Sequence, residues 1–114
     1  MKALVVFKDA DYPLSRFLKP GFRHCFCALL SNDLWIQVDG LIGVPEIKYL
    51  TTGDFDLAGF YRRAGCTVVE TERRSHAPTC PLVARSCTGL VKAVLGIRSW
   101  ALSPWGLYKY LTKG

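Results

Sequence analysis

The sequence predicts an α+β fold in which a small antiparallel sheet packs against helices, and two observations carry the prediction. Short runs rich in Val, Phe, Ile and Trp recur through residues 1–72, separated by turn-forming residues, and they have strand length. Two segments near the C-terminus instead space their apolar residues as helices do. At 114 residues, 50% of them apolar, the chain suffices for one core and is short for two, so residues 1–114 are expected to form a single domain.

"KALVVF" (2–7) reads as a short strand, and "DYPLSRFL" (11–18) as a helical turn or two before the break at "KPG". "FRHCFCALL" (22–30) and the alternating "LWIQVDG" (34–40) flank the turn signal "SND", so they form an antiparallel hairpin. "LIGVPEIKYL" (41–50) supplies a bent strand that Pro45 confines to an edge or bulge. In "TTGDFDLAGFYRRAG" Phe55, Leu57, Ala58 and Tyr61 lie near helical spacing, with Asp54 as the cap and Gly65 as the stop. "CTVVETE" (66–72) is a further strand, followed by the irregular stretch "RRSHAPTCPLVARS" (73–86), whose length raises the question of a lid. Leu90, Val91, Val94 and Leu95 then mark a helix that starts near Cys87 and stops at Gly96, with Lys92 off its apolar stripe. "SPWGLYKYL" closes the chain as a helix capped by Ser103, with Pro104 in its first position.

Charge is divided unevenly. All nine acidic residues lie in residues 1–72 beside eight Lys and Arg, whereas Arg73, Arg74, Arg85, Lys92, Arg98, Lys109 and Lys113 follow with no acid. The last third therefore suits anionic partners such as an acidic polymer or protein surface, or is simply a solvated face; its cations are too scattered to mark a nucleic-acid groove. No apolar run approaches the roughly 20 residues of a membrane span, and the N-terminus lacks a signal-peptide core. A soluble protein, cytoplasmic or virion-associated, is expected. The odd set Cys25, Cys27, Cys66, Cys80 and Cys87 suggests reduced thiols.

Cys87 in the first turn of a helix would feel the positive end of the helix dipole, with Arg85 nearby, and both favour thiolate. The same place equally suits a small buried hydrophobe. A nucleophilic thiol needs a base, and the chain has two histidines: His76 in a loop, and His24 held within a strand and therefore better oriented. A turn at Ser31-Asn32 would set Asp39 directly opposite His24. A four-residue turn would make them diagonal neighbours on one face, and a three-residue turn would separate the faces. Asp39 can thus orient the imidazole, with Gln37 as the other candidate for a third polar residue, although Asp39 before Gly40 is also a simple strand-end turn residue and His24 a simple core histidine. A zinc site could be drawn from His24, Cys25, Cys27, His76 and Cys80, but there is no CxxC and alternation sends His24 and Cys25 to opposite faces. Neither a metal nor a cofactor is expected.

The strand-borne "FRHCF", a following strand ending in "VDG", the helix start "SCTGLVKAVLGI" and the tail "LSPWGLYKYL" together resemble circularly permuted papain-like proteins of the NlpC/P60 superfamily, over roughly residues 20–112. In these the His strand precedes the Cys helix. The resemblance implies a cysteine peptidase or amidase, with Cys87 attacking, His24 taking its proton and Asp39 as the third residue. It points to a peptide or amide substrate, with cell-wall peptide the class suggested by family analogy, and to phage or prophage settings with phage structural proteins as partners. Relatives near lecithin-retinol acyltransferase carry a second His at the third position, and its absence here argues against a lipid acyltransferase. The alternative from another class is a non-catalytic structural or binding component of a phage particle with the same fold.

Overall fold

The computed structural model describes residues 1–9, 19–41, 44–73, 87–95, 97 and 103–113. The expected helical turn in 11–18 and the stretch 74–86, with His76, Cys80 and Arg85, lie outside the described residues.

Among the described residues five strands form one antiparallel sheet: β1 (Lys2–Lys8), β2 (His24–Ser31), β3 (Leu34–Leu41), β4 (Val44–Thr52) and β5 (Thr67–Glu72), in the spatial order β4-β3-β2-β1-β5. β1 is apolar without alternation because both its faces are covered, and Ala3 to Phe7 are all buried. One face carries Leu4, Val6, Phe26, Ala28, Trp35 and Val68, packed against α1 (Leu57–Arg63). The other carries Val5, Phe7, Cys25, Cys27 and Val38, packed against α2 (Cys87–Leu95) and α3 (Pro104–Thr112) through Val91, Leu95 and Leu107. The α+β class is as the sequence predicts. β4 is the edge strand that Pro45 calls for. No described helix is long and apolar enough to cross a membrane.

Three local expectations are corrected. The β2–β3 turn is Asn32-Asp33 rather than Ser31-Asn32. Both residues have positive φ, 50° and 63°, the left-handed pair that matches strand twist in a two-residue hairpin, and Asn and Asp tolerate it best among residues with a side chain. The cap of α1 is Asp56, whose carboxylate accepts from the Gly59 N–H at 3.0 Å, while Asp54 instead accepts from the Thr52 hydroxyl. Lys92 is 5% exposed, not outside the apolar stripe. α2 buries Thr88, Val91, Lys92 and Leu95, so its contact face is rolled toward Thr88, and the long methylene stem of a lysine can be packed. Burial also lowers the Lys92 pKa. The final helix matches its sequence signals: the Ser103 hydroxyl accepts from the Gly106 N–H at 3.2 Å, with Pro104 at the first position.

The hairpin turn is exposed, so its backbone conformation alone decides what it tolerates. Asn32→Val puts a β-branched side chain at positive φ and should cost about 1–2 kcal/mol in urea unfolding; unchanged stability would contradict this turn.

Candidate active site

His24 opens β2, rather than lying mid-strand, and Asp39 lies near the end of β3. With Ser31 facing Leu34 and Cys27 facing Val38, the register continues to place Asp39 across from Phe26. His24 is then Asp39's diagonal neighbour on the same face, a separation of about 7–8 Å that long side chains span. They do: His24 Nε2 lies 2.6 Å from Asp39 Oδ1, and the two side chains are only 12% and 9% exposed. A carboxylate accepts, so Nε2 carries the proton that faces Asp39. Gln37 pairs with Ala28, one step farther along the hairpin from His24. Phe26 lies beside the imidazole with ring centroids 6.5 Å apart, and Lys8, opposite His24 on β1, holds its ammonium 5.6 Å from the Phe26 ring.

Cys87 is the first residue of α2, and that first turn contains no acidic residue to oppose a thiolate. The Cys87 side chain lies outside the described residues. Its neighbour Thr88 is fixed: the Thr88 hydroxyl lies 3.8 Å from the thiol of Cys25, the residue after His24. The start of α2 therefore rests at the end of the sheet where β2 begins. It rests there on the Cys25 face, whereas alternation turns His24 toward the α1 face. At its other end α2 is held by Arg73, whose Nε donates to the Val94 carbonyl at 2.7 Å.

Two further residues feel Asp39. Cys27 has its pKa pushed up to about 12, by burial first and by Asp39 second, with Arg73 pulling the other way. Tyr61 of α1 is raised by burial, then by Cys66, then by Asp39. The sequence grouped Tyr61 with an apolar stripe; its phenol was the overlooked signal. Thr88 was missed because nothing in "SCTGL" distinguishes a threonine that meets a thiol from one that faces water. Among the described residues no group of three or more His, Cys, Asp or Glu could hold a metal. Comparison with known proteins finds no matching family model, and no matching curated protein or solved structure.

The Cys27 thiol gives a pH signature with a definite sign. The unfolded chain loses this proton near pH 9.0 and the folded chain near 12, so between these values the folded state binds more protons. Its contribution is whole below the lower value and declines as pH rises, at most by about 1.4 kcal/mol per pH unit. The stability advantage of the wild type over Cys27→Ala should accordingly shrink above pH 9 in denaturant titrations. A pH-independent difference would show that Cys27 ionises normally.

Proposed function

We propose that this chain is a thiol hydrolase acting on a peptide or amide bond, with Cys87 as nucleophile, His24 as base and Asp39 as the residue that orients it. The observation that carries the reading is the His24–Asp39 hydrogen bond between two largely enclosed side chains, at the sheet end where α2 begins. Such a pair fixes the tautomer and the ring orientation, as base catalysis requires. In the reaction, His24 Nδ1 takes the Cys87 thiol proton and the sulfur attacks the scissile carbonyl carbon. Backbone N–H groups in the first turn of α2 would stabilise the oxyanion. Collapse passes the proton from His24 to the leaving nitrogen and leaves a thioester. Water, deprotonated by His24, then attacks the thioester and releases the acid and the free thiol. Cell-wall peptide is the substrate class suggested by the resemblance to permuted papain-like proteins, and the fold on this reading is a member of that group.

Alkylation separates this from a non-catalytic role without a known substrate. At pH 7 iodoacetamide should modify Cys87 at least tenfold faster than Cys25, Cys27 or Cys66, all of which are buried or half-buried thiols. His24→Ala should abolish that advantage and Asp39→Asn should reduce it. Any hydrolysis of peptide substrates should vanish in Cys87→Ala, and removal of the base should cost about 10²–10⁴ in rate. A Cys87 that reacts no faster than its fellows, in a protein that remains folded, would overturn the proposal and favour a structural component.

A further inference from the structure

α3 and the segment just before β2 build a basic, aromatic cluster beside the same sheet end. The Trp105 indole meets Phe22 edge-on at 4.8 Å and stacks on Tyr108 at 5.6 Å with the planes 20° apart. Two ammonium groups also sit by this one ring, Lys19 Nζ at 4.5 Å and Lys109 Nζ at 5.8 Å from its centroid. They are therefore no more than about 10 Å from each other, comparable with the Debye length of about 10 Å at 0.1 M ionic strength. Among the described residues neither has a carboxylate partner. Among the described residues the acid nearest in sequence to Lys19, Asp9, is engaged elsewhere, by Arg23 at 3.5 Å and by the Gly21 N–H at 2.6 Å. α3 contains no acid, and Lys113 follows Lys109 by one helical turn. Both lysines are exposed.

Two like charges held on one ring, with no carboxylate paired to either among the described residues, repel each other less once an anion bridges them. We infer that Lys19, Trp105 and Lys109 form a docking site for the carboxylates of an acidic peptide segment. The rings weigh against a nucleic acid: Trp105 already meets Lys19, Lys109, Phe22 and Tyr108, so a base could stack on it only by displacing one of these contacts. What the cluster presents to solvent is ammonium donors, and these suit carboxylate oxygens. The cluster also adjoins the candidate site, since Phe22 lies two residues before His24. On the hydrolase reading, the site selects acidic stretches of a peptide substrate. Docking itself uses no thiol chemistry.

A fluorescein-labelled peptide carrying several Glu residues provides the test, by anisotropy at low salt with the full chain. Wild type and Cys87→Ala should bind it equally, so a failure of the hydrolase reading leaves this result standing. Lys19→Gln and Lys109→Gln should each weaken binding about threefold and the double variant about tenfold, with affinity falling as salt rises. Lys48→Gln removes the same charge from the distant edge strand β4 and should leave affinity unchanged. The inference is overturned by no binding of the peptide at low salt. It is equally overturned if the double variant binds as the wild type does, if Lys48→Gln loses as much as Lys19→Gln, or if an oligothymidylate of equal charge binds more tightly than the peptide.

Discussion

The register of the β2–β3 hairpin is the constraint on which the candidate site depends. Strand side chains alternate between faces, so a slip of one residue would put His24 and Asp39 on opposite sides of the sheet and leave two buried polar groups without each other. A two-residue turn at Asn32-Asp33 forbids that slip, because both residues occupy left-handed conformations and no neighbouring pair in "LSNDL" is as well suited to do so. The hydrogen bond between His24 and Asp39 is thus a consequence of backbone geometry six residues or more away. Its short length and enclosure follow from their places: His24 between Lys8 and Phe26, and Asp39 on an inner strand of the sheet.

A second constraint brings α2 to the same end of the sheet. Thr88 rests on Cys25, Val91 and Leu95 fill the core, and Arg73 holds the last turn through the Val94 carbonyl. The aliphatic anchors fix the helix against the sheet, and the Thr88 contact fixes which end of β2 its first turn meets. Lys92 is the cost of this arrangement, an ammonium drawn out of water because its stem lies on the buried side of the helix. The proposed chemistry then rests on elements that are individually rigid: a strand, its hairpin partner and a helix start.

Strands and helices were legible because each has a period of its own. "LWIQVDG" alternates, "KALVVF" does not because both faces of β1 are covered, and Ser103-Pro104 announces a helix start unambiguously. The joints were less legible. Asp54 and Asp56 are both plausible caps in sequence, and only the path of the chain decides that Asp56 reaches the Gly59 N–H. Ser31-Asn32 and Asn32-Asp33 are likewise both reasonable turns, yet one puts His24 directly opposite Asp39 and the other puts it one diagonal away. The roll of α2 was hidden because its sequence offers Leu90 and Val94 as well as Val91 and Leu95, and the choice between the two faces belongs to the sheet. The cluster around Trp105 joins residues more than eighty positions apart, which no local pattern reveals.

The central claim is that Asp39 orients His24 as a base by holding the Nε2 proton. Nitrogen-15 NMR of the imidazole reads this directly. At neutral pH, His24 should show the Nε2–H tautomer with a slowly exchanging ring proton, and Asp39→Asn should lose that protection. A His24 found as the Nδ1–H tautomer, or one whose ring proton exchanges as freely in the wild type as in Asp39→Asn, would contradict the account.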